Sequence, residues 1–125
     1  MTDWKDNEPI YLQLRQRVID QIISGGLAEG ALIPSIRQVA AQHRINPLTV
    51  SRAYQLLSDE GLLDKQRGQG MSVAAGARAR ARQTERQRFL SVEWPEIARR
   101  IRSLNIDARA LIATLDDGGA PNEPH

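Results

Sequence analysis

Asn46, Leu48, Thr49, Ser51 and Arg52 crowd into one short stretch, and Arg67, Gly68 and Gln69 follow it between two apolar runs. The set mixes amide, hydroxyl and guanidinium groups with one aliphatic side chain. Arginine can fork to the O6 and N7 of guanine, hydroxyls reach bases or phosphates, and leucine can touch the methyl of thymine. Phosphate contacts position and base contacts specify, so such a mixture suits recognition of double-stranded DNA. Each residue also has a second use. Asn46 suits a helix cap, Thr49 and Ser51 suit a solvated face, and Gly68 and Gly70 suit a tight turn with or without a ligand. Their joint placement on one expected surface is what points to a common partner.

The elements that must hold these residues are legible from local chemistry. Pro9 opens a first helix, whose Tyr11, Leu14, Val18 and Ile22 recur at helical spacing until Gly25-Gly26 stops it. "ALI" at 31–33 reads as an edge strand ended by Pro34. Ser35 and Gln38 have the spacing of a capping box and begin a second helix, with Ile36, Val39 and Ala40 inward and Arg37 outward. Asn46, held extended by Pro47, caps a third helix with Val50, Tyr54 and Leu57 on its core side. Gly61 ends it. "LLDKQ" and "MSVAA" then flank Arg67-Gly68-Gln69-Gly70 as a hairpin. Two helices joined by a tight turn and followed by a hairpin predict a winged helix-turn-helix. In that arrangement the N-terminal turn of the third helix enters the major groove, and the wing carries Arg67 over the neighbouring backbone.

Other chemistries find little support. A net charge of +2 announces no polyanion partner by itself, but local clusters at Arg37, Arg44, Arg52, Lys65 and Arg67, and again from Arg78 to Arg88, suit a selective contact. The second cluster reads as a solvated helix face. No cysteine is present, so disulfides and thiolate chemistry are excluded, in keeping with a cytoplasmic location. No apolar run approaches the roughly 20 residues of a membrane span, and the acidic start bears no likeness to a signal peptide. His43 is expected as a polar surface residue of the helix-turn-helix. His125 with Asp116, Asp117 and Glu123 is explained by a solvated tail as well as by a metal, so no metal, cofactor or catalytic activity is expected. A winged helix serving only protein–protein contacts is the alternative, but it would not need Thr49, Ser51, Arg52 and Arg67 on a shared face.

Beyond Gly76 the composition shifts to Ala and Arg. Leu90, Trp94, Ile97, Ile101 and Leu104 follow at spacings of four, three, four and three, a coiled-coil-like seam that predicts a dimerisation arm. Pro95 should kink or split this helix near Trp94. Asn105 can end it in a left-handed conformation, and Asp107 can cap a short helix after it. The expected organisation is mainly α with a small β wing: a DNA-binding domain over 8–76, a helical arm over 77–116 and a flexible tail over 117–125.

From about Glu8 to Ala75 the chain carries, in order, "PIYLQL", "G-x-L-x-x-G", "L-x-PSxRxxA", "N-x-x-T-V-x-R-A-Y-x-x-L", "E-G-L" and "R-G-x-G". This stretch resembles the winged-helix DNA-binding domain of the GntR family of bacterial transcription regulators, and with its short C-terminal segment is most similar to the YtrA branch. The resemblance implies a homodimer on a pseudo-palindromic operator, with DNA contacts at Arg37, Asn46, Thr49, Ser51, Arg67 and Gly68. It also implies regulation of a transporter operon; repression is expected over activation because a small dimer with no activation surface can act simply by blocking polymerase. Pro47 and Ser51 stand where many relatives place base-reading arginines, so Arg52 is the neighbour expected to compensate. Neither the operator nor a small-molecule effector can be named from the residues.

Overall fold

The computed structural model describes residues 4–116, so the expected tail lies outside the described residues. Among the described residues, six α-helices and one hairpin follow in order: α1 Ile10–Ser24, α2 Ile36–His43, α3 Pro47–Asp59, β1 Leu63–Gln66, β2 Gly70–Val73, α4 Ala77–Arg88, α5 Trp94–Ser103 and α6 Ala108–Asp116. A π-helical turn, Phe89–Glu93, lies between α4 and α5. The described residues divide into two compact units, one on either side of Glu85 and Arg86.

In the first unit, helix ends form where the local chemistry places them. Ser35 Oγ accepts the Gln38 N–H at 3.1 Å while Gln38 Oε1 accepts the Ser35 N–H at 2.9 Å, closing both halves of the capping box. Asn46 Oδ1 accepts the Leu48 N–H at 2.8 Å and starts α3. The α1 face Leu14, Val18, Ile19 and Ile22 packs with Val39 and Ala40 of α2 and with Val50, Ala53, Tyr54 and Leu57 of α3. Burial of each large aliphatic side chain contributes about 1.5–3 kcal/mol. Strands β1 and β2 pair antiparallel from Leu63↔Val73 to Gln66↔Gly70. Leu63 and Val73, at the base of the hairpin, join the core, and the turn at its tip is exposed. The expected edge strand is a single bridge, Leu32↔Ser72, because Pro34 cannot extend the ladder.

Tyr54 ties the core to the start of the helix-turn-helix. Its side chain is buried, its hydroxyl donates to the Pro34 carbonyl at 2.7 Å, and burial pushes its pKa up to about 12. Tyr54→Phe removes this donor at little change in shape. It should cost about 1 kcal/mol, which thermal unfolding would register as a fall of about 4–8 °C for a domain of this size. An unchanged melting temperature would show that the bond adds nothing.

The unit boundary falls later than Gly76. Ala77 and Ala81 of α4 are buried in the first core, so a division at Gly76 would cut through packed structure. The arginines of α4 are exposed, as expected, but two of them also brace the helix against the first unit. Arg78 Nε donates to the Ile23 carbonyl at 2.9 Å, and Arg80 donates to the carbonyls of Gly61 and Ala75, both at 2.8 Å. Small alanines let α4 approach closely, and the long basic side chains then reach backbone oxygens at helix and strand ends.

In the second unit, α5 begins at Trp94, where Pro95 was expected to split the helix. A proline ring clashes with the carbonyl four residues before it, here that of Ser91. The widened turn accommodates this: the Trp94 N–H bonds to the Phe89 carbonyl, five residues back instead of four. Asn105 adopts φ 57°, ending α5 as expected, and Asp107 Oδ1 accepts the Arg109 N–H at 3.0 Å to start α6.

Candidate nucleic-acid interface

The first turn of α3 presents its polar groups because its opposite face is consumed by the core. Val50, Ala53, Tyr54 and Leu57 are buried, so helical geometry turns Leu48 and Arg52 directly outward and sets Thr49 and Ser51 on the two shoulders. Leu48 is 76% exposed, the most exposed large hydrophobic side chain among the described residues. Ser51 and Arg52 are exposed, and Thr49 is half-buried. Asn46 spends its carbonyl oxygen on the cap, which leaves the side-chain NH₂ as the donor it can offer outward.

Arg52 is held by α1. Its guanidinium lies 3.9 Å above the centre of the Tyr11 ring. Stacking uses the flat face of the guanidinium and leaves its in-plane N–H edge for an acceptor, so the stack limits the side chain's freedom without using up its donors. Sequence reasoning placed Tyr11 on the core stripe of α1 and missed this second use, since nothing in the spacing reveals a contact between positions so far apart. Arg37 is exposed on the first turn of α2, and Arg67, Gly68 and Gln69 form the exposed turn of the hairpin. The positive φ of Gly68, 73°, shows that this turn needs a residue without a side-chain penalty. Gln55, outward on α3, is instead tied to Asp59 at 2.9 Å.

The turn between α2 and α3 also differs from expectation. Arg44 takes a left-handed conformation, φ 55°, and its N–H bonds to the Ala40 carbonyl. This backbone turn brings the two helices together without glycine. His43 is not a freely solvated surface residue: its ring meets Trp4 edge-on with centroids 5.8 Å apart, and its Nδ1 is buried. Desolvation, with Arg17 nearby, lowers its pKa and favours the neutral ring. Trp4 is brought there by Gln13, a buried polar residue of α1. Gln13 Oε1 accepts the Lys5 N–H at 2.7 Å, and Gln13 Nε2 donates to the carbonyls of Lys5 and Glu8. The N-terminal segment thus packs against the back of the helix-turn-helix.

Among the described residues no cluster of His, Cys, Asp or Glu could hold a metal ion, and no helix is long and apolar enough to cross a membrane. A helix-turn-helix followed by a two-stranded wing defines the winged helix-turn-helix class. The profile described as "Bacterial regulatory proteins, gntR family" matches residues 10–73, about half of the 125 residues. The chain belongs to the GntR family of bacterial regulatory proteins. It is 32% identical over 71 residues to the HTH-type transcriptional regulator YhcF of Bacillus subtilis, covering 57% of this chain and 59% of YhcF. It is 35% identical over 72 residues to the HTH-type transcriptional repressor YtrA of the same organism, covering 58% of this chain and 55% of YtrA. The match therefore spans little more than half the length of either relative. A GntR family transcriptional regulator from Listeria monocytogenes superposes with a TM-score of 0.72 at 26% identity, covering 91% of this chain and 98% of that one.

Proposed function

We propose that the protein is a cytoplasmic transcription regulator that represses by binding a pseudo-palindromic operator as a homodimer. The observation that carries the DNA-binding reading is the α3 N-terminus. There Leu48, Ser51 and an Arg52 stacked on Tyr11 are turned outward together, with no core role to explain their exposure. Arg37 and the Arg67–Gln69 turn add backbone-reaching groups on adjoining elements. Similarity to a relative named as a repressor supports repression, and a small dimer can repress simply by occupying DNA that polymerase needs.

The dimer reading rests on the second unit. Trp94, Ile97 and Leu104 are each at least 40% exposed in the single chain, Ile101 is half-buried beside them, and Leu90, exposed in the turn before α5, adds to the apolar surface. A second copy of the same face would remove this apolar surface from water. The direct test is to select binding sites from random DNA with the purified protein and titrate the winning sequence in rising salt. Selection should yield inverted repeats, and log affinity should fall linearly with log salt, by about 0.9 for each phosphate contacted. Recovery of no preferred sequence would overturn the reading in favour of a winged helix that contacts proteins.

A further inference from the structure

Arg52 is the only cation of α3, and its guanidinium sits at the end of a long stem with many rotamers. Ordering such a side chain at the moment of binding costs conformational entropy, and one ordered beforehand has less to lose. Among the described residues no hydrogen bond or ion pair holds Arg52. Its anchor is the ring of Tyr11, with the guanidinium carbon 3.9 Å from the ring centre.

The platform is itself well fixed. Tyr11 lies in the first turn of α1, where the Pro9 carbonyl accepts the Leu12 and Gln13 N–H groups at 3.1 and 3.2 Å. The ring is half-buried and packs against the core. Its hydroxyl forms no hydrogen bond among the described residues, so the ring is the part in use. One turn further along α1, Arg15 forks to Glu60 at the end of α3, Nε to Oε2 at 2.6 Å and Nη2 to Oε1 at 2.8 Å. That pair and the buried faces of both helices set how α1 lies against α3, whatever residue stands at position 11. Removing the ring therefore frees Arg52 and leaves the helices in place.

We propose that Tyr11 is a specificity-determining positioning residue: its ring holds the Arg52 guanidinium ready, N–H edge outward, for a base in the major groove. This rests on the reading of α3 as the base-reading helix. Acting through Arg52 alone, Tyr11 tunes how well the protein tells its operator from other DNA and leaves its hold on phosphates untouched. Both residues lie in the first unit, so each half-site is read this way whatever joins two copies.

The test is the ratio of affinities of full-length protein for the selected operator and for a scrambled duplex, measured at several salt concentrations. Tyr11→Leu should lower this ratio about three- to tenfold, the loss expected of a cation–π contact. The salt slope should not change, because the phosphate contacts remain. Tyr11→Phe, which keeps the ring, should keep the wild-type ratio. In an Arg52→Ala background Tyr11→Leu should lower the ratio no further, since coupled residues do not add. An additive loss marks a merely structural role and overturns the proposal. So does an unchanged ratio for Tyr11→Leu, or a raised one, which would mean that the ring withholds Arg52. A Tyr11→Phe variant as poor as Tyr11→Leu assigns the effect to the hydroxyl and overturns it too. Should Tyr11→Leu fail to fold, NMR relaxation of the Arg52 Nε–H in the free wild-type protein decides. An ordered group supports the proposal, and one as mobile as the Arg67 Nε–H on the exposed hairpin turn sinks it. If Arg52→Ala itself leaves the ratio unchanged, the base-reading assignment of α3 fails, and this proposal with it.

Discussion

Replacing Ile97 and Ile101 together by aspartate should lower affinity for the full operator by about 10²–10⁴, the range over which linking two weak modules raises avidity. Both residues lie on α5, Ile97 at 40% exposure and Ile101 half-buried. In the proposed dimer they are the centre of the shared face. A carboxylate there would have to lose its water without a partner, a penalty large enough to favour two separate chains. Neither position lies in the first unit, whose core runs from α1 to the start of α4. Its fold and single half-site binding should therefore survive. Sedimentation gives the mass, and fluorescence anisotropy gives the affinity for half and full sites. A variant that is folded, monomeric and still binds the full site at wild-type strength would show that the second unit serves another purpose.

The second large effect separates readers of sequence from readers of charge. Arg52→Ala should cost about 1–3 kcal/mol on the selected operator and much less on unrelated DNA, as the loss of a bidentate base contact does. Arg52→Lys should recover only part of this, because an ammonium lacks the rigid planar fork of the guanidinium and cannot stack flat on Tyr11. Thr49→Ala should shift specificity in the same sense by a smaller amount, since Thr49 is half-buried on the shoulder of α3. Arg67→Ala, on the exposed turn of the hairpin, should instead weaken every sequence alike and reduce the salt slope by about one. Binding curves on matched and scrambled DNA at several salt concentrations distinguish the two patterns. If Arg52→Ala and Arg67→Ala both bind the operator as wild type does, the contact surface has been assigned to the wrong face.

What the sequence makes legible is chemistry that closes within a few residues. The Ser35–Gln38 box, the Asn46 cap, the Asn105 stop and the Asp107 cap each satisfy their own backbone, so type and spacing are enough to find them. Core stripes on α1, α2 and α3 are legible for a similar reason, since helical period converts spacing into a face. The seat of α4 was not legible, because Arg78 and Ile23 are 55 residues apart and only the fold makes them neighbours. Arg78 and Arg80 looked like ordinary surface charge for the same reason. Gln13 also escaped notice: a polar residue within an apolar stripe gives no sign that the chain before the helix will fold back to meet its amide. Arg44 shows a different gap, in which tertiary packing holds a bulky residue in a left-handed turn that local preference would assign to glycine or asparagine.

The widened turn at Phe89–Glu93 changes the phase of everything after it. One surplus residue in a turn rotates the downstream face by roughly the angle of a single helical residue, about 100° at 3.6 residues per turn. Counting along the chain puts Leu90 in line with Trp94, Ile97, Ile101 and Leu104, but that count presumes an unbroken helical period, and Trp94 reaches back to Phe89 across the break. Leu90 is therefore turned off the line of the α5 residues, and Phe89, five residues before Trp94, comes nearer to it. A partner helix following α5 cannot follow Leu90 and the α5 residues as one continuous supercoil. An interruption of this kind acts as a register lock: sliding one copy past the other by a heptad would bring an interrupted segment against an uninterrupted one, so only one axial alignment of two such chains matches throughout.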